Sequence, residues 1–501
     1  MHAETAYLFR HAVLRDAAYQ LQLPGDRANL HALAIESIEF LTPSPAQRET
    51  WAAELADHAA LAQQHAPANA ALAAKELDYL ERGAASLARH HHYEDALKLY
   101  ARLAAHPLAT DEGRVRALLD ASKFALRSGA ITQARALAEQ ALAHAAPLGE
   151  SVTARALAAR GGCLHLLGEQ EAALNDFESA LAVARQIGDA QFELECAVNC
   201  GAVMRNLGRH EECRALCEWS AEKARSSNKP EIEGYALQTL ANLHRELGEF
   251  EAAIRAYDAS LRALDTAGNR LRAAQTLGQI GGLHMVRGDA AMGAEFTRKS
   301  LEIAQEIHAR RQQASMQIQL AACMHELGQP ATSIDATWQA LQISRETGDL
   351  GGQALALCEL CSLYADNGNR DAAQRCVEEL ERMLVLLKEK PVRCHAHGKL
   401  GYWHWKQGRF DLAEREYNKA LETPRMTGDP GREAVWKSMV AMVKARTGRV
   451  VEAEAEIREA LQVLRALGQA HNVGVVLDGW AAARREAGLP VWIEDPPRES
   501  P

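Results

Sequence analysis

Two cysteine pairs carry the most pointed chemistry in the sequence. Cys196-x3-Cys200 and Cys213-x3-Cys217 each place two thiols one helical turn apart, on either side of Gly208. In an antiparallel helical hairpin, this spacing sets Cys200 opposite Cys213 and Cys196 opposite Cys217. Four sulfurs so gathered bind Zn²⁺ tetrahedrally, or close two disulfides on oxidation. Packing is the reading taken, with metal or redox chemistry as its alternative, because free cysteine behaves as a small hydrophobe. Cys358-x2-Cys361, with Cys376 and Cys394 further on, is less regular. His90-His91-His92 reads as a solvated turn, since consecutive side chains on a turn diverge.

Catalytic arrangements are hard to build from what remains. No H-E-x-x-H, G-x-S-x-G or G-x-x-x-x-G-K-[ST] occurs, so neither a zinc-protease helix nor a nucleophile elbow nor a phosphate-cradling loop is present. His165, His244, His284, His325 and His404 recur at scattered offsets, as capping or packing residues do. The chain therefore reads as a non-enzyme that calls for no cofactor. Arg310-Arg311 and Arg484-Arg485 are too short to form a basic patch, and the net charge of −10 argues against direct nucleic-acid binding. No window approaches eighteen uninterrupted apolar residues, which excludes a membrane partner of the helix-spanning kind. Ten cysteines without small-scaffold spacing fit reduced thiols, and the expected location is cytoplasmic.

The elements that would position any site are set by glycine. Steps of twenty from Gly168 to Gly488 land on glycine at fourteen of seventeen positions, the exceptions being Asn228, His308 and Lys388. A helix that must stop and reverse ends on a left-handed residue, which glycine adopts without a Cβ clash; Asn and His tolerate it. The beat predicts helix, tight turn, helix, tight turn, with about sixteen helical residues per half, each roughly 24 Å long. A second set of small residues precedes alternate glycines by seven: Gly161, Gly201, Ala241, Gly281, Ala321, Cys361, Gly401, Ala441 and Ala481. Others follow by five and twelve, with fillers such as Phe177, Tyr257, Tyr417 and Ile457 nine after the glycine. Small residues on two antiparallel helices let the backbones approach while large ones fill the flanking layers. A composition 48 % hydrophobic but only 5 % aromatic suits such closely packed helices.

This arrangement resembles the tetratricopeptide repeat (TPR), most plainly from Leu247-Gly248-Glu249-Phe250 through Ala253, Tyr257, Ser260 and Leu261. It recurs from Gln407-Gly408-Arg409-Phe410 through Ala413, Tyr417, Ala420 and Leu421. The period of forty is longer than the usual thirty-four. The resemblance implies an all-α fold: a right-handed α-solenoid of TPR-like hairpins behind an N-terminal helical stub. It also implies that the first helix of each repeat lines a concave groove. Offsets from the turn glycine then put Asn199, Arg205, Tyr235, Gln238, Asn242, Arg245, Gln275, Gln279, Gln319 and His325 on that groove. A file of amides pairs with the backbone of an extended peptide, and Arg205 and Arg245 suit a carboxylate. Tyr402 and Trp405 are the candidate aromatic hot spot.

At the N-terminus, Phe9-Arg10-His11 and Leu30-His31 fall in two amphipathic segments broken at Pro24-Gly25. Their wording resembles the end of the ATPase region in bacterial STAND-type signalling ATPases, where it leads into a TPR array. The expected organisation is a stub over 1–41, irregular hairpins over 46–128, the array over 129–488, and a C-terminal cap and frayed tail over 489–501. Thr42-Pro43-Ser44-Pro45 is the clearest linker. The function expected is a scaffold or sensor that binds a protein or peptide segment within a bacterial signalling system. A small-molecule- or metal-responsive solenoid, and the C-terminal part of an ATP-dependent regulator, are the alternatives.

Overall fold

The computed structural model describes residues 19–64, 69–90, 92–427, 430–467 and 470–490. Among these, the regular structure is helical, without a strand. No helix among them is long and apolar enough to cross a membrane. The chain divides into two compact units, residues up to 128 with 133–156, and residues 129–132 with 157 onward.

The first unit holds α1 Pro24–Leu41, α2 Pro45–Gln63, α3 Ala70–Arg89, α4 Tyr93–Ala105, α5 Asp111–Ser128 and most of α6 Ile131–Ala145. The turn at Thr42–Ser44 joins α1 to α2 inside this unit, and Ser44 and Gln47 cap α2 reciprocally. Glu39 on α1 accepts from Lys75 Nζ at 2.8 Å and from the Tyr79 hydroxyl, tying α1 to α3. The segment expected to be a helix before Tyr19 lies outside the described residues, as does His91. His90 and His92 are exposed at their turn.

The second unit follows the ladder. After α7 Glu150–Leu167 come α8 Gln170–Ile187, α9 Ala190–Asn206, α10 His210–Ser226, α11 Pro230–Glu246, α12 Phe250–Ala267, α13 Arg270–Val286 and α14 Ala290–Glu306. Then come α15 Arg310–Glu326, α16 Pro330–Glu346, α17 Leu350–Asp366, α18 Arg370–Leu384 and α19 Lys390–Lys406. The last are α20 Phe410–Thr427, α21 Pro430–Arg446, α22 Val450–Ala466 and α23 Ala470–Glu486. Every ladder glycine among the described residues has positive φ, and so do Asn228 at 54° and His308 at 53°. Gly428 and Gly468 lie outside them.

The turn chemistry is the same at each kind of residue. Gly208 N–H donates to Arg205 O at 3.1 Å and Arg209 N–H reaches back to Met204 O at 2.9 Å. At His308 the matching bonds run to Gln305 O and Ala304 O at 3.1 and 2.9 Å. These satisfy the orphan carbonyls of the ending helix. Lys388 departs from the pattern: α18 stops early at Leu384, and the chain turns through 385–389 before α19.

Each hairpin packs small against large at one register. A Cβ added to Gly161, Gly201, Gly281 or Gly401 would meet Phe177, Cys217, Thr297 or Tyr417 at 2.6–3.2 Å, always sixteen residues on. The filler thus lies on bare backbone of the facing helix. Hydroxyls reinforce the contact: Ser260 Oγ donates to Gly234 O at 2.7 Å, and Ser300 Oγ to Ala274 O at 2.5 Å. Ion pairs thirty-six residues apart join the start of a first helix to the end of the second helix of the same hairpin, among them Arg270–Glu306 and Arg310–Glu346.

The unit winds far enough to meet itself. A Cβ on Gly168 would stand 3.1 Å from Pro391 Cδ, and one on Gly208 would stand 3.9 Å from Leu467 and 4.0 Å from Pro430. These partners lie more than five forty-residue units further along the chain. The turns after α7 and α9 therefore face the starts of α19 and α21 across the interior.

Candidate functional site

The hairpin register decides the cysteines first. Cys217 lies against Gly201, five residues beyond the Cys196 it was expected to oppose, because the hairpin is centred on Arg209, just past the turn glycine. Cys196, Cys200, Cys213 and Cys217 are buried and free of disulfides, as are the other six. Burial pushes the Cys200 thiol up to about 12, and the Cys217 thiol rises as well through its hydrogen bond with Cys213. No group of three or more His, Cys, Asp or Glu that could hold a metal comes together among the described residues. The four thiols pack as small hydrophobic side chains, the reading taken from the sequence over its metal alternative.

The amide file divides. Gln238 is only 3 % exposed, and its Nε2 donates to Thr276 Oγ1 at 2.9 Å on the next repeat. Asn242 is buried and accepts the Tyr257 hydroxyl at 2.6 Å. Gln319 Nε2 donates to Gly278 O at 2.7 Å, one repeat back. Neither Gln238 nor Asn242 faces a groove, and this is a correction with a plain cause: each buried amide is satisfied by a hydroxyl on a packed neighbouring helix, Thr276 for the first and Tyr257 for the second. Tyr235 lies under the Arg272 guanidinium, 4.0 Å from its ring centroid. Asn199, Gln275 and Gln279 are half-buried, with the Gln279 Oε1 lacking a partner.

Arg205, Arg245 and His325 do reach interior space. A cavity of 610 Å³ is walled by Arg205, Arg245 and Glu246 on one side and by Arg432, His395 and Trp436 on the other. Arg205 is ion-paired to Glu246, while the Nε atoms of Arg205 and Arg245 are buried without a partner. A second cavity, of 410 Å³, shares His395 and Trp436 with the first and continues to His325, Glu326, Glu359 and Tyr402. Tyr402 is half-buried there, its hydroxyl donating to Asp366 Oδ1 at 2.8 Å. Trp405 is half-buried, packed against the core of the last repeats and edge-on to Phe410 at 5.6 Å.

The wall between the cavities is built with care. Trp436 presses on the backbone of α19, where a Cβ on Gly398 would fall 2.1 Å from its ring. Its indole Nε1 is buried and unpartnered. Glu359 on α17 meets Lys399 at 3.1 Å and His395 at 3.4 Å, both on α19. Burial alone would raise the Glu359 carboxyl, but the His395 hydrogen bond and the Lys399 charge hold it at about 2.

Sequence reasoning missed Glu246, Glu359, His395, Lys399, Arg432 and Trp436. The signal was there: His395, Lys399 and Tyr402 stand thirteen, nine and six residues before Gly408, the offsets that picked Tyr235, Asn199 and Asn242 in earlier repeats. What the offsets omit is which repeats face one another.

Residues 235–263 and 395–424 match the family model for the tetratricopeptide repeat. No curated protein matches the chain. Among solved structures, a Rap protein complexed with competence and sporulation factor is similar over 70% of this chain and 99% of its own, at 10% identity and a TM-score of 0.49. The apo form of RapI covers 76% of this chain and is itself covered over 99%, at 12% identity and a TM-score of 0.44. A signal transduction ATPase with numerous domains (STAND), carrying a tetratricopeptide repeat sensor and coming from Pyrococcus horikoshii, is similar over 71% of this chain and 50% of its own, at 13% identity and a TM-score of 0.38. The chain thus carries tetratricopeptide repeats at 235–263 and 395–424, set among helical hairpins that recur every forty residues with the same small-on-large register.

Proposed function

We propose that the chain is a non-catalytic interaction module that holds a segment of a partner protein along the interior of its second unit. The observation that carries this reading is the pair of adjoining cavities, walled by the first helices of the repeats and lined by Arg245, His395, Lys399, Tyr402 and Trp436. Each cavity falls within the roughly 300–1,000 Å³ span of ligand-sized clefts, and their mix of aromatic and charged side chains suits recognition. The STAND-like wording of the N-terminal segment supports a place in a bacterial signalling system. Ten buried free cysteines support a reducing, cytoplasmic setting.

The test is affinity capture with mass-spectrometric readout, using wild type and an Arg245→Ala/Lys399→Ala/Tyr402→Phe variant of equal helicity. A partner retained by wild type and lost by the variant is the expected outcome. Identical partner sets from both would remove the cavities from consideration. A small organic ligand is the second reading, favoured by the cavity volumes; a thermal shift given by a metabolite extract freed of protein would move it to the front.

A further inference from the structure

The two adjoining cavities are oppositely charged. The first carries three arginines, Arg205, Arg245 and Arg432, against one carboxylate, Glu246. The second carries three carboxylates, Glu326, Glu359 and Asp366, against one lysine, Lys399. Much of this charge is matched locally: Arg205 by Glu246, Glu359 by Lys399, and Asp366 by Lys406 at 3.0 Å. Arg245 and Glu326 enter no ion pair among the described residues, and they stand on different cavities. Backbone dipoles add to the asymmetry. Pro391 and Pro430 bring the positive N-terminal ends of α19 and α21 to the first cavity, and Arg205 and Arg245 answer the carbonyl ends of α9 and α11 there. Trp436 and His395 form the common wall, so one occupant passing them meets both fields.

We propose that the cavities form a single charge-polarised cleft that takes a short peptide in one direction only. A carboxylate-bearing end sits against Arg245 in the first cavity, and a cationic end sits against Glu326 in the second. Reversing the peptide sets like charges against each other in both, which is how complementary potentials fix register and reject wrong partners. This rests on the reading of the interior as a peptide site and adds its chemistry and polarity.

The test is selection of a random heptapeptide library on the purified full chain, on Glu326→Lys and on Arg245→Gln, with helicity and thermal midpoint checked for each. On wild type, acidic residues should enrich at one end and basic residues at the other in a fixed order, each by about tenfold. Glu326→Lys should abolish the basic preference alone, and Arg245→Gln the acidic preference alone. Enriched peptides without charge order, or a variant that alters both ends alike, overturn the polarity while leaving peptide binding in place. No enrichment on wild type overturns both. Glu326 is exposed, so its variant reads out one end even if Arg245→Gln fails to fold.

Discussion

Residues in this chain are judged by what lies sixteen or about forty positions away. Gly398 is the sharpest case, because Trp436 occupies the space its side chain would need. Gly398→Ala should cost about 1–3 kcal/mol by overpacking and displace the indole, read by denaturant titration and by a shift in tryptophan emission. An unchanged midpoint would mean the ring has room to move. His308 makes the opposite prediction. It holds a left-handed conformation with a Cβ, at 53°, where the twelve described ladder glycines have none. His308→Gly should therefore stabilise by about 1 kcal/mol, the side-chain clash outweighing the added chain entropy. Loss of stability on that substitution would show that the imidazole does something at the turn beyond bending it.

Helices and their contacts explain which expectations held. The ladder was legible because a reversal every twenty residues is a local demand on φ, and the residues that meet it are few. Asn228 and His308 were readable as members for the same reason. The cysteine register was misjudged by five residues, since spacing alone does not say where a turn is centred. Gln238 was misread because an exposed-looking stripe on an isolated helix becomes an interface once the next repeat docks. Gln238→Ala is accordingly predicted to lower stability by about 1–2 kcal/mol, leaving Thr276 without its donor, and to leave peptide capture unaltered. Acid should act through two carboxylates at the same level, the buried Glu416 and the half-buried Glu359. Glu359 and Glu416 are each held at about 2, burial being outweighed by His395 and Lys399 for the first and by His397 and Lys419 for the second. A folded-state value below the unfolded one gives stability that is complete above about pH 4.5 and fades as pH falls toward 2. Glu416→Gln should flatten the dependence of the denaturation midpoint between pH 5 and 3, whereas an unchanged slope would assign the acid sensitivity elsewhere.

At the scale of the second unit, the cavities exist only because distant repeats meet. Gly208 and Pro430 face one another across the winding, and no property of either repeat announces this. That is why the wall residues of α19 and α21 escaped the sequence while the helices bearing them did not. Removing residues 290–329, one full period, keeps every remaining hairpin in phase. Because each repeat packs on its neighbours, the shortened chain should stay helical and unfold cooperatively. Its turns would meet the wrong rungs, and ligand-sized space should vanish, seen as loss of any peptide or metabolite that protects wild type from heat. Retained protection would locate the site within single repeats. The winding thus makes repeat number a heritable switch: one in-frame duplication or loss of 120 nucleotides between the cavity walls would spare the fold yet erase or recast its specificity in a single generation.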